Sequence, residues 1–475
     1  MSPPPTPPAA GTETTLEDLD RKSLFHPFTS IREHLAEGPL VITEASGVRV
    51  RDRSGRDYID AMAGLWCVNV GYGRRELVEA MAAQASRLPY YHSFASMSNE
   101  PVIRLAARLI EMAPGKMSKV FFANSGSEAN DTQIKLVRYY NNLRGRPEKK
   151  KILSRRGAYH GVTLGATSLS GLPPMHAIFD LPLPGFLHLE RPSHFWHAPP
   201  GATEEEFSAV LAAELEALIE REGASTIAAM FVEPVMGAGG VIVPPRGYFE
   251  RIVPILRAHD ILLVADEVIC GFGRLGTLFG SNYYGLEPDL VTVAKGLTSG
   301  YLPMSAVLVG ERVWEALAEG SAKQGPFAHG YTYSGHPVPA AVAHANLDIL
   351  ERERLVARAA DTGDYLQRRL REAFAGHPLV GEVRGVGMIA GIELVASKSE
   401  KRPFPPAAEA GRRLSRHLLA GGLISRALRD TLAFSPPLVL EKADVDRIVE
   451  IFARGLEAVS RELTASGAWR PEVAA

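Results

Sequence analysis

The sequence predicts an α/β protein with a large domain built on a mostly parallel sheet (76–335) and a smaller α+β domain (336–475). Three observations predict it. The runs 227–233 (IAAMFVE), 261–266 (ILLVAD), 290–294 (LVTVA) and 305–309 (SAVLV) are almost wholly apolar, as strands buried on both faces are. Helical spacing separates several of them, as at 204–221 and 248–259, which is the alternation of crossover units. From about Ala341 the texture changes to a long helical run (341–374), short strand candidates (380–384 and 388–395) and helices at 407–420 and 443–463. Ahead of the first long run, 76–87 and 101–112 have helical spacing and 120–123 is strand-like. The stretch 40–59 alternates like a small hairpin with glycine turns. It cannot form a core alone, so 21–75 is expected to pack with the small domain. Residues 1–20 read as a mobile, Pro-rich tail.

The 475 residues are enough for about three units of roughly 150 residues, or two large ones. With 46% hydrophobic and 22% charged residues, the core needs no disulfide or metal staple. Lys plus Arg is 52 and Asp plus Glu is 54, and a net charge of -2 argues against a nucleic-acid binder or a polybasic membrane-surface protein. No apolar run approaches the roughly 18 residues of a membrane span. Cys67 and Cys270 cannot make a disulfide framework, and no C-x-x-C pair exists for zinc. Residues 1–14 lack the basic start and apolar segment of a signal peptide, so a cytoplasmic location is the simplest expectation.

Three constellations carry chemistry. In Asn124-Ser125-Gly126-Ser127-Glu128, a small polar turn follows an apolar run and precedes a helix. Ser125 and Glu128 fit a capping box, and the exposed N–H groups with the Ser127 hydroxyl suit a phosphate. Taken alone, the same residues describe only a well-capped helix. Asp266 closes ILLVAD, and a buried carboxylate there needs a cationic ring nitrogen, an Arg, a metal or backbone amides. Lys295 closes LVTVA, where burial lowers an amine's pKa and favours Schiff-base chemistry; a single such lysine more often snorkels to solvent. Together, a phosphate cradle, a strand-end Asp and a strand-end Lys 29 positions later outline a pyridoxal-phosphate site.

At this point the chain resembles the class III pyridoxal-phosphate aminotransferases of fold type I, and among these the amine–pyruvate, or omega-, transaminases. The resemblance is carried by HPFT (26–29), MAGLWCVNVGYG (62–73), NSGSEAND (124–131), AYHG (158–161), EPVMGAGGVIVPP (233–245) and VADEVICGFGRLG (264–276). It continues in the segments 288–307, 329–337 (HGYTYSGHP) and 384–394. It implies a seven-stranded, mostly parallel sheet and a pyridoxal 5'-phosphate cofactor. Lys295 would bond the cofactor's aldehyde and shuttle the substrate proton, and Asp266 would pair with the pyridine nitrogen. Ser125, Gly126 and Ser127 would serve the phosphate. Tyr159 would stack on the ring beside His160, Val268 would pack on its other face, and Glu233 would support the Asp266 region. Thr332, next to Tyr331, would reach the phosphate of a neighbouring subunit, which implies a homodimer with shared sites; pairing of dimers into a tetramer stays open.

The resemblance also implies an amine donor and a keto-acid acceptor used in turn. Leu65, Trp66, Tyr91, Phe94 and Tyr159 would line the substrate pocket, and Arg426 would pair with the acceptor's carboxylate. His92 and Ser93 stand where the subgroup usually has Asn and Thr. An aminomutase, epimerase or decarboxylase on the same fold would use Lys295 and Asp266 identically and is the alternative. No metal is expected: His194 and His197 in SHFWH lack a partner at ligand spacing. Gly385-Val386-Gly387 is only a partial dinucleotide fingerprint. The basic residues 149–151 with Arg155 and Arg156 read as a solvated face.

Overall fold

Every apolar run singled out above becomes a buried strand. In the computed structural model, which describes residues 14–325 and 327–470, seven strands form the central sheet. Numbered in chain order after the three N-terminal strands β1 (Ile42–Ser46), β2 (Arg49–Asp52) and β3 (Asp57–Asp60), they are β4 (Met117–Ala123), β5 (Lys151–Arg155), β6 (Phe186–Leu189), β7 (Ile227–Val232), β8 (Leu262–Asp266), β9 (Leu290–Val293) and β10 (Ser305–Gly310). Their order is β4-β10-β9-β8-β7-β5-β6. Pairing is parallel from β9 through β6, and only β10 runs against its neighbours. The mostly parallel seven-stranded sheet is therefore as expected.

Strand β7 shows why these runs are apolar throughout. Met230 and Val232 pack with the Glu204–Glu222 and Tyr248–Ala258 helices, whereas Ala229 and Phe231 pack with the Gly126–Leu143 helix. Both faces are covered, so all six residues are buried. The smaller part carries β11 (Val380–Val386), β12 (Ile389–Leu394), β13 (Leu423–Ile424), β14 (Arg426–Leu428) and β15 (Thr431–Phe434). Its antiparallel sheet has the order β11-β12-β15-β14, while β13 pairs in parallel with β3 and ties the N-terminal hairpin to the C-terminal part.

Several expectations need correction. Of the tail expected over 1–20, residues 1–13 lie outside the described residues, but Leu16–Ser23 is a helix. Thr15 Oγ1 accepts the Asp18 N–H at 3.1 Å and the Asp18 carboxylate accepts the Thr15 N–H at 3.3 Å, a reciprocal cap. The single helical run 341–374 is two helices, Pro337–Arg352 and Leu355–Phe374, broken where Arg354 turns left-handed (φ 54°). Glu353 at that break is gripped by both arms of Arg74, at 2.7 and 2.8 Å.

Strands β5 and β6 escaped the sequence reading, because the basic residues at 149–156 hid one of them. Arg155 is wholly buried and donates to the Glu233 carbonyl at 2.6 Å. Lys149 is also buried, with Nζ donating to the carbonyls of Ala224 and His259 at 3.1 and 3.2 Å. Only Arg156 has the exposure a solvated face requires. The His194–His197 stretch is a short helix whose His194 Nε2 meets the Ala202 carbonyl at 2.8 Å. Among the described residues no helix is long and apolar enough to cross a membrane.

Candidate active site

The carboxyl ends of β4, β5, β7, β8 and β9 converge on one cavity of about 290 Å³, where a ligand is expected in an open parallel sheet. Gly126, Ser127, Tyr159, His160, Glu233, Asp266, Val268 and Lys295 line it. So do Leu65, Trp66 and Arg426 from outside the large domain.

The sequence turns sharply from β4 into the Gly126–Leu143 helix, whose N-cap is Ser125. Ser125 Oγ accepts the Glu128 N–H at 3.2 Å. The capping box is not reciprocal: the Glu128 carboxylate turns back to Asn124, accepting its backbone N–H at 2.7 Å and its side-chain amide at 2.9 Å. The N–H groups of Gly126 and Ser127 precede the first intrahelical bond and remain for an anion at the helix's positive end. Ser127 Oγ accepts the Val162 N–H at 3.0 Å, which leaves its own O–H to donate. Two glycines keep the space open. A Cβ on Gly126 would stand 3.2 Å from Val268 Cγ2, and one on Gly161 (φ 133°) would stand 2.5 Å from Ser127 Oγ.

Asp266 ends β8 and is held from three sides. Val268 N–H donates to Oδ1 at 3.1 Å, while Asn130 Nδ2 and His160 Nδ1 donate to Oδ2, each at 2.8 Å. Asn130 is itself fixed, accepting from Thr292 Oγ1 at 2.8 Å and donating to the His160 carbonyl at 2.7 Å. A carboxylate offers about four lone-pair sites, so this one keeps room for a further cationic donor. His160 Nε2 is buried without a partner.

Lys295 follows β9 with a left-handed backbone (φ 43°), the kind of strained conformation that persists where packing enforces it. Its Nζ makes no hydrogen bond or ion pair among the described residues. Burial lowers its pKa from the ordinary lysine range, while the negative charge of Asp266 opposes the shift. Glu233 does something other than expected. Its carboxylate accepts the N–H groups of Tyr159 at 3.0 Å and Gly237 at 2.9 Å, so it positions the tyrosine rather than Asp266. Burial raises its pKa.

Five residues named from the sequence do not line the chain's own cavity: Ser125, whose side chain is the helix N-cap, and Tyr91, Phe94, Tyr331 and Thr332. Tyr91, Phe94 and Thr332 are exposed. The Tyr331 hydroxyl donates to the Glu128 carbonyl at 2.9 Å, and the Thr332 carbonyl accepts from Tyr90 at 2.7 Å. Conversely, Phe28, Leu172, Ala238, Ile269 and Leu428 line the cavity without having been named. Phe28, Ala238 and Ile269 had a signal, since they lie in the segments 26–29, 233–245 and 264–276; Leu172 and Leu428 are ordinary apolar residues that only the fold brings in.

The model of the family described as aminotransferase class-III matches residues 32–456. The chain belongs to the class III aminotransferases. It is 49% identical over 464 residues to the diaminobutyrate–2-oxoglutarate transaminase of Halomonas elongata, covering 96% of this chain and 99% of that one. It is 46% identical over 441 residues to the putrescine–pyruvate aminotransferase of Pseudomonas aeruginosa, covering 92% and 95%. Its fold matches the omega transaminase of Pseudomonas jessenii solved in complex with PMP, with a TM-score of 0.93 and 48% identity over 95% of this chain and 99% of that one.

This class III aminotransferase uses pyridoxal phosphate and moves an amino group from an amine donor to a keto-acid acceptor. The cavity fits that cofactor on its own chemistry. It offers N–H donors at a helix start, a carboxylate with spare acceptor capacity, and an amine with no hydrogen bond or ion pair among the described residues.

Proposed function

We propose that this transaminase takes primary amines with apolar bodies as donors and a small monocarboxylate keto acid, pyruvate, as acceptor. Arg426 carries the reading. Its guanidinium lines the cavity, is half-buried, and makes no hydrogen bond or ion pair among the described residues. Burial lowers its pKa, so a carboxylate arriving there relieves a real desolvation cost. Among the described lining residues it is the one guanidinium. A dicarboxylate acceptor would need a second cation for its far end. The remaining wall is apolar, from Phe28, Leu65, Trp66, Leu172 and Ile269, and suits a donor without charge beyond its amine.

Bound pyridoxal phosphate supplies an aldehyde for amine exchange and a ring that draws electrons from the substrate carbon. Ser127 and the N–H groups of Gly126 and Ser127 hold its phosphate. Asp266, braced by Asn130, His160 and the Val268 N–H, holds a positive charge on the ring nitrogen. Tyr159, fixed through its backbone by Glu233, and Val268 bound the ring's two faces. Lys295 Nζ would take a proton from the substrate carbon and hand it to the cofactor carbon that had carried the aldehyde, and would run the same transfer backwards for the keto acid, which suits an amine whose pKa burial has lowered.

We further propose a homodimer in which Tyr91, Phe94 and Thr332 complete the partner's cavity. Two things support it. These residues are exposed near Tyr90, Met97 and Tyr333, and a second exposed apolar set, Leu24, Phe25, Ile31 and Leu35, lies on the N-terminal segment. A cytoplasmic location is proposed on the two free cysteines. Acceptor preference tests the main reading: kcat/KM should favour pyruvate over 2-oxoglutarate at least tenfold, and the reverse order would overturn it.

A further inference from the structure

Outside the active cavity, three side chains of ligand type converge near the start of the chain. Asp20 lies on the Leu16–Ser23 helix, His34 on the Ile31–Glu37 helix, and His26 on the loop between them. Their ligating atoms all lie within 4.8 Å of one another, and no other such group occurs among the described residues. His26 Nε2 stands 3.0 and 2.9 Å from the two oxygens of Asp20. His34 Nε2 stands 2.8 Å from Asp20 Oδ1. The two imidazole rings are 4.2 Å apart between centroids.

Hydrogen bonding accounts for His26, whose Nε2 reaches both oxygens of Asp20, but not for His34. His34 Nε2 is buried and close to a carboxylate oxygen, yet its direction makes no hydrogen bond. His26 Nε2 sits between the two oxygens rather than on one lone pair. Both imidazoles turn the same nitrogen, Nε2, toward one carboxylate. An ion supplies what they share. Ligand atoms about 2.1 Å from a tetrahedral zinc stand about 3.4 Å apart, so these spacings of 2.8 to 3.0 Å need to open by only about half an ångström to admit the ion. All three side chains are more than two-thirds buried. A neighbouring cavity of about 230 Å³, lined by Lys22, Phe25 and Ile31 along with both histidines, gives room for water ligands.

We propose that Asp20, His26 and His34 bind a divalent transition metal, with zinc as the fitting type, and so pin the loop that carries Phe28. Two imidazoles and one carboxylate favour zinc and its neighbours over calcium or magnesium, which prefer oxygen ligands throughout. The site cross-links two short helices and the loop 24–30 between them. Phe28 is two residues from His26, has a left-handed backbone (φ 50°), and lines the active cavity while 69% exposed. Metal occupancy therefore sets how firmly one wall of the donor pocket is held. The spacing of ligands, with five residues between the first two and seven between the last two, matches no zinc motif, which is why the sequence alone pointed to no metal.

Zinc titration by calorimetry tests the site, using holoenzyme first stripped with a chelator and dialysed. The expected result is one zinc per chain with micromolar or tighter affinity, weakened at least 100-fold in both His34→Gln and Asp20→Asn. Cofactor content should stay at the wild-type level in both variants. His377→Gln, whose histidine is remote from the group in sequence, should bind as the wild type does. Absence of saturable uptake by the wild type overturns the proposal. So does zinc bound as tightly by either variant as by the wild type. If one variant fails to fold, the other together with the wild-type stoichiometry still decides.

Discussion

Arg426→Ala should divide the two half-reactions. The guanidinium lines the cavity with no hydrogen bond or ion pair among the described residues, so on the proposed reading its favourable contact is made with the acceptor. A charge-assisted hydrogen bond contributes about 1.5–3 kcal/mol, and a bidentate carboxylate makes two. Arg426 is only partly buried and must lose side-chain freedom, which brings the net to about 3 kcal/mol. At about 1.4 kcal/mol per factor of ten, that is on the order of a 150-fold loss in kcat/KM for pyruvate. An uncharged aryl amine never meets the guanidinium as a carboxylate does, so its half-reaction should change by less than about threefold. Arg426→Lys should recover part of the loss, because it keeps the charge without the planar fork. The assay is rapid mixing in single turnovers. The cofactor's visible absorbance is followed as holoenzyme reacts with the amine, and separately as the amino form reacts with pyruvate. Equal losses in both halves, or no loss with pyruvate, would refute the role given to Arg426.

Three further outcomes follow from the same geometry. Asn130→Ala removes the donor to Asp266 Oδ2 and to the His160 carbonyl and strands the Thr292 hydroxyl; it should lower stability by about 2–4 kcal/mol and weaken cofactor binding, checked by thermal unfolding and cofactor titration. Because burial lowers the Lys295 pKa, the neutral, reactive amine persists to lower pH. The rate of cofactor capture by apoprotein should then rise with pH and level off well before about 10.4, the ordinary lysine value, whereas a rise continuing to that value would contradict it. Mixing Lys295→Ala chains with Thr332→Ala chains should give more activity than either alone, since one site of each mixed dimer has both residues intact; no gain after subunit exchange would remove the shared-site proposal.

Much of the site was legible because its chemistry is local. Asp266 and Lys295 each end an apolar strand, and strands of a parallel sheet present their carboxyl ends on one edge. The turn at Ser125-Gly126-Ser127-Glu128 carries its helix-start signature in four residues. What escaped depends on long-range packing. Asn130 looked like any polar helix residue, yet it bridges β8, β9 and the loop after β5. The resemblance places Glu233 in support of the Asp266 region, but its hydrogen bonds go to Tyr159 and Gly237, which only the fold brings beside it. Strand β5 was hidden because Arg155 breaks the apolar pattern while being wholly buried through the Glu233 carbonyl. The Asp20, His26 and His34 group depends on a helix–loop–helix turn that residue spacing does not announce.

The central claim is that Lys295 and Asp266 serve a reversible amino transfer from an amine to a keto acid. The most direct measurement is the visible spectrum of the holoenzyme while a primary aryl amine, and then pyruvate, is added. The account predicts that the cofactor band is lost with the amine and restored by pyruvate, with one equivalent of carbonyl product and one of alanine per site. A band that amines leave unmoved, or one that the Lys295→Ala variant cycles at the wild-type rate, would contradict it.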